Sequence, residues 1–116
     1  MLLQLDPSTG LPVYRQIASA VRRAISDGEV SPGERLPGAR DLAGALGVNM
    51  HTVLRAYGDL RDEGLIELRR GRGAVVRPGS VSLAGVRHVV IELAETASRH
   101  GIEFTEIVAM LEEEMT

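Results

Sequence analysis

Cysteine is missing from these 116 residues, and so are tryptophan and lysine. Without thiols there is neither a disulfide framework nor a thiolate metal site. Aromatic residues make up 3% of the chain, so a core drawn from its 44% hydrophobic residues has to be aliphatic. No stretch reaches the roughly 18 consecutive apolar residues that a membrane-spanning helix requires. The opening MLLQLDPSTG also lacks the basic region that starts a secretory signal. The expectation is a soluble cytoplasmic protein with one compact domain and an appendage, since a chain of this length sits near the usual domain size.

All 13 basic residues are arginine. The planar arginine fork suits phosphate and guanine, although a GC-rich coding bias would leave the same composition. The net charge of −3 hides a division along the chain. Residues 1–78 hold eleven arginines against nine carboxylates, a net of +2, whereas residues 79–116 hold two against seven, a net of −5. The two parts are expected to do different work.

The chain is organised around Arg40 to Leu65, RDLAGALGVNMHTVLRAYGDLRDEGL. Leu42, Ala43 and Leu46 lie at helical spacing, Gly47 suits a sharp turn of positive φ, and Asn49 suits the N-cap of a second helix. Val53, Ala56, Tyr57 and Leu60 give that second helix one buried face. Met50, His51, Thr52, Arg55 and Asp59 are left facing outward. A short helix, a glycine turn and a longer helix with a polar start form a helix-turn-helix, the arrangement that lays a recognition helix in the DNA major groove. An ordinary helical hairpin has the same pattern, so the flanks have to decide.

Upstream, Leu3 and Leu5 suit a short extended segment that Asp6 to Gly10 breaks with turn residues. A helix then carries the stripe Val13, Ile17, Val21, Ala24 and Ile25 and stops at Gly28. Arg15, Arg22 and Arg23 fall off that stripe and are expected on its solvated surface. EVSPGERLPG, residues 29–38, reads as an ordered loop with a short extended piece at Arg35 and Leu36. Downstream, Gly64 ends the second helix, and the period shortens to that of strands. Residues 65–69 and 74–77 form a hairpin whose tip is Arg70-Gly71-Arg72-Gly73. No G-x-x-x-x-G-K-[ST] run is present and no helix follows the tip, so a wing touching DNA backbone or minor groove fits better than a nucleotide loop.

From Pro12 to Val76 the chain resembles the winged helix-turn-helix domain of the GntR family of bacterial transcription regulators over about 65 residues. The PGERLP loop, LGVN turn, EGLI segment and RGRG wing carry the resemblance. The LDPSTGLPVYRQI entry, the NxxTVxRAY run and the short tail are similar to its YtrA-type subfamily. The resemblance implies a dimeric regulator, usually a repressor, that binds a palindromic double-stranded DNA operator. Family DNA contacts transfer to Arg40, to Asn49, Met50, His51 and Thr52, and to Arg70, Gly71 and Arg72. Many members carry arginine where this chain has Met50 and Leu54, so guanine reading by those two arginines is not carried over. By residue type, Arg40, Arg70 and Arg72 suit phosphate or minor-groove contact, His51 and Thr52 suit base edges, and Met50 suits a thymine methyl. Arg55 is placed either for a base contact or for a salt bridge to Asp59 four residues on.

Pro78, Gly79 and Ser80 read as a brief linker to two further helices, near residues 83–100 and 104–114. Leu83, Val86, Val90, Leu93 and Ala97 stripe the first; Phe104, Ile107, Val108, Leu111 and Met115 stripe the second. So short a segment cannot bury both faces itself, and a homodimer through residues 83–116 is expected to cover them, packing back on the winged helix being the alternative. The fold is thus mainly α with a small β-hairpin wing: a winged helix-turn-helix domain over residues 1–78, then a two-helix dimerisation segment over 79–116.

An enzyme is disfavoured. His88 and Glu92 lie four apart with His100 further along, but no H-E-x-x-H or comparable motif completes a metal or acid-base site, and no cofactor is implied. A winged helix used only for protein contacts is the remaining alternative, in keeping with the acidic total charge. A small-molecule effector stays open, because two helices cannot enclose a pocket of about 300 Å³ within one subunit.

Overall fold

The structure is a computed structural model describing residues 3–116; Met1 and Leu2, which begin the opening stretch, lie outside it. Among the described residues the elements run α1 (Val13–Ser26), α2 (Ala39–Leu46), α3 (Met50–Asp62), β1 (Ile66–Arg69), β2 (Gly73–Val76), α4 (Ser80–His100) and α5 (Phe104–Met115). The chain divides into two compact units, one of the described residues up to Val86 and one of Arg87–Thr116. No helix among the described residues is long and apolar enough to cross a membrane.

In the first unit α1 buries its stripe as the spacing predicts, with Ile17, Val21 and Ile25 wholly enclosed. They meet Val53 and Leu60 of α3, then Leu65, Ile66 and Val76 of the hairpin, in one aliphatic core. Leu3 and Leu5 are half-buried against that core. Asp6, in extended conformation, accepts from the Ser8 N–H to start a 3-10 turn, Pro7–Thr9. The Gln16 side chain then ties this entry down: its Oε1 accepts from the Asp6 N–H at 2.7 Å, and its Nε2 donates to the Asp6 and Leu11 carbonyls at 3.0 Å.

Arg22 departs from the sequence expectation. Arg15 and Arg23 are exposed, as the stripe implies, but Arg22 is buried between α1 and the end of α3. Its Nε and Nη2 donate to the two Glu63 carboxylate oxygens, both at 2.8 Å. The side chains are 6% and 15% exposed. Position 22 is one residue round from Val21, and the close packing of α1 on α3 encloses it. Burial of the charge is tolerated because the fork meets a carboxylate bidentately.

The hairpin pairs Ile66 with Val76 through Arg69 with Gly73, antiparallel. The loop before α2 adds a third edge, as the extended piece at Arg35 and Leu36 anticipates: Arg35 bridges Val75, and the Gly33 and Leu36 N–H groups donate to the Val76 and Ala74 carbonyls at 2.8 Å. The wing is therefore anchored at its base and free at its tip.

Pro78 and Gly79 do not form a free linker. The Ser80 N–H reaches the Arg77 carbonyl at 3.3 Å, and α4 starts at Ser80 rather than near Leu83. Ala84 is fully buried in the first unit's core, which is why this first turn is helical and fixed. In the second unit Ala97 is buried, and its carbonyl accepts from the Ile102 N–H at 2.9 Å as the chain turns. Glu103 and Glu106 close a capping box on α5. No residue of α5 is buried; Phe104 and Met115 are 80% and 81% exposed.

Arg22→Ala is expected to lower the unfolding free energy by roughly 3 kcal/mol, because it removes a bidentate, largely buried partner of the Glu63 carboxylate. Arg22→Lys should fall between, keeping the charge but losing the fork. Urea denaturation measures both. A loss under about 1 kcal/mol for Arg22→Ala, the range of exposed pairs, would mean that the pair does not act as a buried one.

Candidate nucleic-acid interface

Helix α3 owes its start to two residues. Gly47 ends α2 at φ 68°, a left-handed conformation that a side chain resists, and the Val48 N–H bonds back to the Ala43 carbonyl at 3.0 Å. Asn49 then caps α3, its Oδ1 accepting from the His51 N–H at 2.7 Å. The side chain of Asn49 is thereby committed to the helix, although the residue itself stays exposed.

Burial of Val53, Ala56, Tyr57 and Leu60 fixes which way α3 faces. Tyr57 also fixes what lies beside it. Its hydroxyl donates to the Pro37 carbonyl at 2.6 Å, tying α3 to the segment that leads into α2, where Arg40 is exposed. Burial pushes the Tyr57 phenol up to about 12, since the charged phenolate would lose its hydration.

On the opposite face His51, Leu54 and Arg55 are exposed, and Thr52 is half-exposed. His51, Leu54 and Arg55 follow one another at three and four residues, so they share one stripe. Met50 is half-buried, its side chain packed on the core. The apolar side chain open to the outside on this face is Leu54, at 42%. Arg55 does not pair with Asp59. Its guanidinium lies 3.7 Å from the centre of the Tyr14 ring, and its Nη2 donates to the Tyr14 hydroxyl at 3.1 Å. Tyr14 is the site residue that sequence reasoning missed; the only signal was an aromatic in the first turn of α1, off the apolar stripe.

The hairpin tip presents Arg70, Gly71 and Arg72 to solvent. Gly71 takes φ 79°, which lets the three-residue turn close with the Arg72 N–H on the Arg69 carbonyl at 3.1 Å. Below the tip Glu67 sorts the charges. Its carboxylate accepts from Arg69 at 2.7 Å and faces Arg77 at 3.8 Å. The Arg69 hydrogen bond and charge hold the Glu67 carboxyl below its ordinary value, with Arg77 adding to the effect. Arg69 and Arg77 are thus partly neutralised, whereas Arg40, Arg70 and Arg72 make no ion pair among the described residues. Asn49, His51, Thr52 and Arg55 come together on α3. Arg40 and the wing arginines are carried by separate elements of the same unit.

No group of three or more histidines and carboxylates that could hold a metal ion occurs among the described residues. His88 and Glu92 stand 3.9 Å apart on α4, an i,i+4 surface pair.

Residues 13–76 match the model of the gntR family of bacterial regulatory proteins. The HTH-type transcriptional repressor YtrA of Bacillus subtilis (strain 168) is 39% identical over 75 residues, 65% of this chain and 58% of that protein. The chain spans about three-fifths of the length of this and another curated relative. Among solved structures, YtrA from Sulfolobus acidocaldarius, a GntR-family transcription factor, superposes with TM-score 0.65 at 38% identity, covering 83% of this chain and 99% of that one. AraR(DBD) in complex with operator ORX1 superposes with TM-score 0.57 at 29% identity, over 66% and 92%. In the matched region lie the stretches built above: the Gly47 turn, the Asn49 cap, the exposed stripe of α3 and the arginine wing. The chain belongs to the gntR family of bacterial regulatory proteins.

Proposed function

We propose that this chain is a sequence-specific DNA-binding regulator of transcription, acting in the cytoplasm as a repressor and seating two copies of α3 on a palindromic operator. The observation that carries the proposal is the exposed stripe of α3, which begins at the helix start and belongs to the same unit as the exposed, unneutralised arginines of α2 and the wing. That is the arrangement a major-groove reader requires. The operator-bound AraR domain and the repressor YtrA support the reading as similar proteins.

Within it, His51 and Thr52 hydrogen-bond base edges. Leu54, rather than Met50, supplies the apolar contact to a thymine methyl, since Met50 is turned into the core. Arg40, Arg70 and Arg72 contact phosphates, and Gly71 lets the hairpin backbone approach the duplex closely. The acidic net charge of −3 favours a second reading, a winged helix that binds only protein. Selection from random-sequence duplexes separates the two: enrichment of a two-fold symmetric motif supports the regulator, and no enrichment at low salt supports the module.

His51→Ala and Thr52→Ala are each expected to weaken operator binding by roughly 1–3 kcal/mol while leaving random-sequence DNA almost unaffected. Equal losses on both DNAs, read by fluorescence anisotropy, would make these residues backbone contacts.

Homodimerisation through residues 83–116 accompanies this function. A two-helix unit whose α5 has no buried residue leaves Val89, Val90, Phe104, Met110, Leu111 and Met115 exposed, more apolar surface than a solitary soluble unit carries. The double variant Val90→Glu, Leu111→Glu should sediment as a folded monomer where the parent is a dimer. Were it still dimeric at micromolar concentration, the interface would have to lie elsewhere. Cutting the chain after Pro78 is a poorer test, because it removes Ala84 from the core.

A further inference from the structure

We infer that Tyr14 is a positioning residue for Arg55, and that the pair makes Arg55 a preset phosphate contact rather than a reader of bases. The inference rests on the DNA-binding reading above and deepens it. Arg55 lies four residues beyond His51 and three beyond Thr52 on α3, about 6 Å and about 4.5 Å further along the axis. Extended, its side chain would project from the same stripe as His51. It is instead folded back on α1, stacked 3.7 Å over the Tyr14 ring with one Nη2–H given to the phenol oxygen at 3.1 Å.

Three consequences follow from that geometry. Guanine recognition needs two coplanar N–H groups advanced to O6 and N7 at the floor of the groove. A guanidinium stacked on α1 with one edge engaged is held back from the floor of a groove that α3 would enter, within reach of a phosphate rather than a base edge. Its charge is also unspent: Arg55 has no carboxylate partner among the described residues, Asp59 included. Finally, the platform is rigid. Tyr14 sits in the first turn of α1, which the Gln16 side chain locks to the entry segment through Asp6 and Leu11. Stacking fixes a long, rotamer-rich side chain before DNA arrives, so less conformational freedom is lost on binding.

The test uses the full chain with Tyr14→Phe, Tyr14→Leu, Arg55→Ala and the Tyr14→Leu, Arg55→Ala double variant. Their affinities are measured on operator and on random duplex across a salt series. Arg55→Ala is expected to weaken both DNAs by a similar factor and to make the log–log salt slope of the dimer shallower by about 2, one phosphate per subunit. Tyr14→Leu should weaken both DNAs by roughly two- to five-fold per subunit, the worth of an exposed cation–π contact, while keeping the slope because the charge remains. Tyr14→Phe, which retains the ring, should lose less. In the Arg55→Ala background Tyr14→Leu should have no further effect.

In the DNA-free protein, NMR of the Arg55 side chain should show a ring-current displacement that Tyr14→Leu removes. This readout stands whether or not DNA binds, so it separates failure of the pair from failure of the DNA-binding reading. The inference is overturned if Arg55→Ala weakens only the operator, if Tyr14→Leu is as harmful without Arg55 as with it, or if the Arg55 resonances are undisplaced.

Discussion

The buried pair between Arg22 and Glu63 is the constraint on which the rest of the first unit depends. It joins the third turn of α1 to the residue that ends α3, with both donors and both acceptors used. Replacing such a pair by apolar side chains often costs nothing, so its importance is directional. An aliphatic core of Ile17, Val21, Val53 and Leu60 could accept small slides of one helix along another. A bidentate fork at 2.8 Å cannot accept them. Tyr57 provides the corresponding tie at the other side, through the Pro37 carbonyl. With α3 fixed against both α1 and the approach to α2, the exposed stripe from His51 to Arg55 is presented in one orientation.

Charge is arranged around that stripe by subtraction. Although the chain is acidic overall, Glu67 engages Arg69 and Arg77 below the wing tip, and Glu63 engages Arg22 inside. The arginines left without a carboxylate among the described residues include Arg40 on α2, Arg55 on α3, and Arg70 and Arg72 at the wing tip. The acidic residues of α5 belong to the other unit. Five carboxylates and no basic residue occur between positions 101 and 116. A short-range, screened interaction with phosphate needs only the local surplus to be positive.

Much of this was legible in the sequence because it is written in local rules. The Gly47 turn, the Asn49 cap, the buried face of α3 and the arginine hairpin each follow from spacing and residue type within a few positions. What was hidden is non-local. Periodicity places Arg22 on the surface because it sees only its own helix, and Glu63 is 41 residues away. The sequence leaves Arg55 between a base contact and its i+4 neighbour Asp59, and in place of Asp59 it bonds Tyr14 at the same separation of 41 residues. Both interactions arise at the α1–α3 contact, which no local pattern announces. The sequence reads Pro78, Gly79 and Ser80 as a linker for a related reason: their residue types are those of a loop, and only the burial of Ala84 accounts for α4 starting as early as Ser80.

The central claim, that α3 and the wing together bind duplex DNA through arginines left unneutralised, is tested most directly by the salt dependence of binding between about 50 and 200 mM, where counterion release dominates. With four or five phosphates neutralised per subunit, the dimer should show a log–log slope of roughly −7 to −9. The Arg70→Ala, Arg72→Ala variant should make it shallower by about three to four units on every sequence. A variant with the parental slope would mean that the wing does not touch DNA, and would contradict the account.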